Sequence, residues 1–294
     1  MTKIAWIFPG QGSQTQGMGV DLQNTSIGKE KFAEAEQILG WSVLDLCQSE
    51  DEKLSQTLYT QPCLYTVESI LVDLLYEKGY NPDLVAGHSL GEYVALYAAR
   101  VFDFEMGLRL VAHRSQLMNS ASGGKMCALM GFKREELDQE IASRSDVVIA
   151  NDNSEQQVVI SGKPQGVDEL VAKVKTKKAV ELKVSGAFHS PFMNEAAKEF
   201  EQVLDIVNFS NAQVPVLSNV DPIPTIDATE LKQRLVKQMI GSVRWREIME
   251  QLTRENVNQV IEIGPGKVLT GLIKRACKNI ELQNISSVSE LPLK

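Results

Sequence analysis

The chain has 294 residues, 43% hydrophobic and 23% charged, enough to bury a substantial core and ordinary for a globular protein. Its formal charge of −8 disfavours a nucleic-acid partner, and no apolar run is long enough to span a bilayer. Cys47, Cys63, Cys127 and Cys277 are scattered, with no CxxC pair or histidine cluster, so neither a disulfide frame nor a metal site is expected.

The first apolar run, Lys3 to Phe8 (KIAWIF), predicts a buried strand that stops at Pro9-Gly10. With the apolar pattern starting so early, no signal or transit peptide is expected, and the location expected is cytoplasmic. The loop PGQGSQTQGMG spaces Gly10, Gly12, Gly17 and Gly19 through polar residues, so its backbone N–H groups can approach a ligand beyond the strand end. It is not a phosphate loop, because no Gly-Lys-Ser/Thr follows. Helices are predicted over Lys29 to Leu39 and, shorter, over Asp51 to Leu58. A third has Pro62 in its first turn and runs to Lys78, with Val67, Ile70, Leu71, Leu74 and Leu75 as its core stripe.

After the turn Gly79-Tyr80-Asn81-Pro82, the stretch Asp83 to Ala95 (DLVAGHSLGEYVA) sets Gly87-His88-Ser89-Leu90-Gly91 between an apolar strand and a helix reaching about Arg100. A serine at the apex of a strand–turn–helix is a nucleophile elbow: the flanking glycines relieve crowding, and the helix start aims free N–H groups at whatever the serine attacks. In the next helix, Phe104 to Met118, residues Met106, Leu110, Arg114 and Leu117 share one stripe, so a guanidinium points inward. An internal ion pair satisfies such a charge; so does a substrate carboxylate, for which the planar fork is suited.

Ser120 to Lys125 marks a domain boundary. Beyond it the pattern reads strand Met126 to Phe132, helix Arg134 to Ile141, strands Val147 to Asn151 and Gln157 to Ser161, helix Gly166 to Val174 and strand Ala179 to Val184, a βαββαβ ferredoxin-like order. Residues 124–187 are therefore expected as a small domain inserted into a discontinuous large one, 1–123 and 188–294. Lys173 to Lys183 (KVKTKKAVELK) is the one basic cluster, either a solvated helix end or a dock for an acidic partner. His189 follows in a loop. Helices Phe192 to Val203, Ala228 to Met239 and Trp245 to Arg254 and strands Val214 to Asn219 and Val260 to Ile263 then restore an α/β rhythm. The closing turn Gly264-Pro265-Gly266 leads into a helix from Lys267 to Lys278 and reads as packing.

A serine nucleophile needs a base, and there are three histidines. His88 diverges from its neighbour Ser89, and His113 lies inside a helix beside Arg114. His189 remains, and the order Ser then His suits an elbow enzyme. An acid such as Asp152 or Asp221, or a backbone carbonyl, can orient the ring, and spacing does not choose between them. The main-chain N–H of Leu90 is one oxyanion donor and that of Gln11 the natural second. With Arg114 nearby, the preferred acyl group ends in a carboxylate: malonyl, succinyl or methylmalonyl.

FPGQGSQ, GHSLGEY, Arg114, GAFHS and IGPGKVLTGL, in this order from residue 4 to about 278, together resemble the malonyl-CoA:acyl carrier protein transacylases of fatty-acid synthesis. The resemblance implies an α/β-hydrolase-like large domain interrupted by a ferredoxin-like one, with Ser89 as nucleophile, His189 as base, and Gln11 and Leu90 as the oxyanion hole. It also implies that Arg114 holds the malonyl carboxylate, that Gln61 lines the pocket, that the Gln238 carbonyl orients His189, and that Phe188 favours malonyl over methylmalonyl. The activity implied is ping-pong malonyl transfer from malonyl-CoA to the phosphopantetheine thiol of acyl carrier protein, with no bound cofactor or metal. The carrier would dock at Lys173 to Lys183, and a monomer is expected. Two rivals stay open: an esterase or thioesterase sharing Ser89 and His189, and a docking domain without activity.

Overall fold

The computed structural model describes residues 2–50 and 52–292. The outermost residues of the expected large domain and Asp51, the expected start of the short second helix, thus lie outside the described residues. The chain begins with β1 (Ile4–Phe8), then α1 (Ser26–Leu39), α2 (Val43–Gln48) and α3 (Thr57–Glu77), and reaches the elbow through β2 (Leu84–Gly87) and α4 (Gly91–Ala98). Next come α5 (Phe104–Ser120), β3 (Lys125–Met130), α6 (Arg134–Ala142), β4 (Val147–Ser154), β5 (Gln157–Gly162), α7 (Pro164–Lys173) and β6 (Lys178–Glu181). The last part holds α8 (Asn194–Asp205), β7 (Val216–Leu217), α9 (Ala228–Gln238), α10 (Trp245–Arg254), β8 (Gln259–Ile263), α11 (Val268–Ala276) and β9 (Glu281–Ile285).

Two sheets result. One is parallel with order β7-β2-β1-β8-β9, the other antiparallel with order β4-β5-β3-β6. In the parallel sheet the runs IAWIF and LVAG are buried on both faces between helices, which is why they read as continuous apolar strings. In the antiparallel sheet the strands alternate: Cys127 and Leu129 of β3 pack with Leu137 of α6 and Val167 and Leu170 of α7, whereas Met126 and Ala128 join the main core. The two sheets are tied where β4 meets the segment before α10. Asp152 N–H donates to the Val243 carbonyl at 2.9 Å, Val243 N–H to the Ala150 carbonyl at 2.8 Å, and the Asp152 carboxylate receives Arg134 of α6 at 2.9 Å and Arg246 of α10 at 3.1 Å.

Several expected elements shift. The short helix near Glu52 is a 3-10 turn, Glu52–Ser55, and the third helix starts five residues before Pro62, at Thr57. Pro62 has no N–H to give the Leu58 carbonyl, and Ser115 Oγ donates to that carbonyl at 3.2 Å, so tertiary packing allows a proline inside the helix. The expected strand Val214 to Asn219 shrinks to two paired residues, Val216–Leu217, because only these meet β2. α2 and β9 were not anticipated; both carry mixed polar sequence, and β9 sits on the sheet edge beside β8.

Candidate active site

The elbow is built by close backbone approach. A Cβ on Gly87 would lie 1.9 Å from the Gly91 carbonyl, and one on Gly91 would lie 2.0 Å from the Phe8 carbonyl oxygen, so neither position admits a side chain. Ser89 itself takes φ 53°, the left-handed region that costs a non-glycine residue of the order of 1 kcal/mol or more. His189 shares this strain at φ 54°. Two residues bent in the same unfavourable way face each other, and Ser89 Oγ lies 2.8 Å from His189 Nε2.

His189 is buried, and its Nδ1 lies 2.9 Å from the Gln238 carbonyl oxygen. A carbonyl only accepts, so the Nδ1 proton stays there and Nε2 is left free to accept from Ser89. Burial, and then the positive charge of Arg114, push the imidazole down to about 3, so it is neutral over the whole physiological range. Neither acid considered from the sequence reaches it: Asp152 pairs with Arg134 and Arg246, and Asp221 with Arg234 at 2.9 Å. His88 turns away, its Nε2 2.8 Å from Asn153 Oδ1 and its ring tilted against Trp245.

Arg114 is fully buried, and no carboxylate among the described residues bonds it directly. Its fork is oriented by neutral groups, NH1 donating to Gln61 Oε1 at 2.7 Å and NH2 to Gln238 Oε1 at 3.2 Å, with Tyr93 beneath it at 5.3 Å. NH2 also donates to Ser89 Oγ at 3.0 Å. Burial lowers the guanidinium pKa without removing its charge, so a cation whose direct bonds go to neutral groups stands beside the serine. Such a charge is costly unless a ligand anion completes it.

A cleft of about 80 Å³ opens over Ser89 and His189, with Gln11, Gln61 and Phe188 in its wall and Met118 and Leu182 as apolar lining. The main-chain N–H groups of Gln11 and Leu90 have no acceptor among the described residues, whereas that of Ser89 is taken by Asn219 Oδ1 at 2.7 Å. Val184 belongs both to this cleft and to an adjoining groove of about 290 Å³ that holds Lys183 and Asn119, so the basic segment ends at the mouth. The site therefore brings together Ser89, His189, Gln11, Leu90, Arg114, Gln61, Phe188 and Gln238, whereas of Lys173 to Lys183 only Leu182 and Lys183 line the cleft or its adjoining groove.

Sequence reasoning missed Asn219 and Glu92, both fully buried around the serine. An asparagine ending the apolar run VPVLSN was the available signal. Glu92 gave none, because an acid in a first helical turn ordinarily faces solvent and favours the macrodipole.

The family model for the acyl transferase domain matches residues 5–293. The malonyl CoA-acyl carrier protein transacylase of Synechocystis sp. is 57% identical over 98% of this chain and 99% of its own length. A polyketide-biosynthesis malonyl CoA-acyl carrier protein transacylase of Bacillus subtilis is 42% identical over 95% of this chain and 98% of its own. Among solved structures, the Synechocystis malonyl-CoA:ACP transacylase superposes with a TM-score of 0.97 at 57% identity, covering 98% of this chain and 99% of that one. A malonyl-transacylase in complex with its type II PKS acyl-carrier protein superposes at 0.92 and 37% identity, covering 99% and 98%.

Proposed function

The chain belongs to the acyl transferase domain family, and within it we propose that Ser89 is the nucleophile of malonyl transfer. The protein is an acyltransferase that moves the malonyl group of malonyl-CoA to the phosphopantetheine thiol of acyl carrier protein, feeding fatty-acid synthesis. The observation that carries the assignment of residues is the buried Arg114 guanidinium, bonded to no carboxylate among the described residues and 3.0 Å from a serine oxygen that also meets a neutral imidazole.

Ser89 passes its proton to His189 Nε2 and attacks the thioester carbonyl. The N–H groups of Gln11 and Leu90 receive the oxyanion, and Arg114 pairs with the malonyl carboxylate. The imidazolium formed on His189 gives its proton to the departing CoA sulfur. Malonyl-serine is left, and the carrier thiol attacks it with its own proton taken by His189, returning Ser89 to its starting form. The bound carboxylate neutralises Arg114 and so relieves one of the influences that depress His189, which makes the imidazole a better base when the correct acyl group is present. Gln61 lines the pocket and orients Arg114, and Phe188 narrows the cleft against a methyl branch.

The chain reads as two domains, 1–123 with 188–294 and 124–187. The ferredoxin-like reading of the second is supported by its βαββαβ order and by the antiparallel arrangement β4-β5-β3-β6. The carrier docks at Lys173 to Lys183, a reading supported by the reach of Lys183 to the cleft mouth. Every group named comes from one chain, so a monomer suffices, and the chemistry calls on no cofactor or metal. No helix among the described residues is long and apolar enough to cross a membrane, and with four free cysteines we place the protein in the cytoplasm.

Mixing the protein with malonyl-CoA tests the proposal by intact mass. A malonyl adduct on the Ser89 peptide is expected, absent in Ser89→Ala, and it should pass to carrier protein faster than to water. An adduct on another residue overturns the assignment, and free malonate formed as fast as malonyl-carrier protein favours a thioesterase.

A further inference from the structure

Glu92 takes no part in the reaction just described, yet its carboxyl group is fully buried 3 residues past the nucleophile. Its Oε2 accepts two hydrogen bonds, from the Asn219 main-chain N–H at 3.1 Å and from Gln238 Nε2 at 2.8 Å. Each of these two residues also grips Ser89. Asn219 Oδ1 accepts the Ser89 N–H at 2.7 Å, with Asn219 Nδ2 donating to the Gly87 carbonyl at 2.6 Å, and Gln238 Nε2 donates to the Ser89 carbonyl at 2.8 Å. Both peptide groups of the strained serine are thus held, and both holders converge on one carboxylate oxygen.

The donor assignment is forced. A main-chain N–H can only donate, so Glu92 Oε2 is an acceptor whatever its protonation, and the Gln238 atom facing it and the Ser89 carbonyl must be the amide nitrogen. The amide oxygen is then turned toward Arg114, which can only donate, and this fixes where the guanidinium NH2 lies relative to Ser89 Oγ. Burial raises the Glu92 pKa, and a neutral carboxyl with its proton on Oε1 preserves the whole pattern.

We propose that Glu92 is a positioning residue for acyl-group selection: through Asn219 it sets the serine peptide and through Gln238 the Arg114 fork. The proposal rests on Ser89 and Arg114 acting as described above. Removing the acceptor leaves two buried donors unpaired and frees Gln238 to shift, and a misplacement near 1 Å at such a centre costs about 100-fold in rate.

The test uses single-turnover acylation with malonyl-CoA and acetyl-CoA on Glu92→Gln and Glu92→Leu, alongside thermal unfolding. Glu92→Gln keeps an acceptor oxygen and should remain within about threefold of the parent protein, whereas Glu92→Leu should lose about 100-fold with malonyl-CoA and clearly less with acetyl-CoA. Equal losses for both acyl groups, or a Glu92→Gln protein as impaired as Glu92→Leu, overturn the proposal. Should Glu92→Leu fail to fold, Gln238→Met removes the same bridge while keeping the carbonyl on His189; its malonyl-to-acetyl preference should fall, and an unchanged preference overturns the proposal. If the parent protein forms no malonyl adduct, it is the underlying functional reading that fails.

Discussion

Two strand–glycine turn–helix units flank β1 in the same sheet, β2 with α4 on one side and β8 with α11 on the other, and only one leaves its turn open to a ligand. At the elbow, the Leu90 N–H, next to the cleft-lining Ser89, has no acceptor among the described residues. At the Gly264-Pro265-Gly266 turn, the protein's own Glu262 carboxylate accepts the Leu269 and Thr270 N–H groups at 3.0 and 2.8 Å, and Glu68 lies against Gly264 so closely that a Cβ there would come within 2.8 Å of its Oε1. A helix start draws anions in either case. A buried side chain fills the second, whereas the first is left for the substrate in the function proposed above.

The comparison breaks most sharply at Arg114. Arg114→Ala should lower malonyl transfer by about 100-fold, the scale of losing a charged hydrogen bond, and raise the relative use of acetyl-CoA without lowering the unfolding midpoint. Unchanged acyl preference would make the guanidinium a packing element. Glu262→Ala should do the reverse, costing about 3 kcal/mol in denaturant unfolding because two N–H groups and Asn284 lose their acceptor, with acyl preference intact. A shifted preference would show that the second turn communicates with the first.

A smaller effect concerns pH. With folded His189 neutral down to about 3, the self-malonylation rate should stay level from about pH 8 to about pH 5 rather than fall through the ordinary histidine range. Stability has the opposite sensitivity. Below the ordinary histidine pKa the unfolded chain binds a proton that the folded one refuses, so His189, and His88, which burial also lowers, reduce stability as pH falls. A rate that halves near the ordinary value would contradict a buried neutral base. The smallest effect lies on the antiparallel sheet. Lys175→Glu with Lys178→Glu should slow transfer to carrier protein by about tenfold at low salt, less at high salt, and leave self-malonylation untouched. Equal rates in both steps would make the lysines a solvated face.

Periodicity suffices for most of the fold because burial on both faces makes β1, β2 and β8 apolar throughout, and alternation marks the antiparallel strands. It fails at α3, where a serine from α5 compensates Pro62, and at β7, whose length depends on what β2 offers as a partner. At the site, Ser89 is visible through the glycines its turn requires, His189 through the scarcity of histidines, and Arg114 through a charge in an apolar stripe. Each is an exception to a local pattern, and local patterns are written in the chain. What spacing left open and tertiary structure decided is which groups hold those three: the Gln238 carbonyl on His189, which the resemblance implies, glutamines rather than carboxylates on Arg114, and Glu92 turned inward from a helix start. These choices join residues far apart in the chain, 49 positions for His189 with Gln238 and 127 for Glu92 with Asn219, and no spacing rule reaches across the fold.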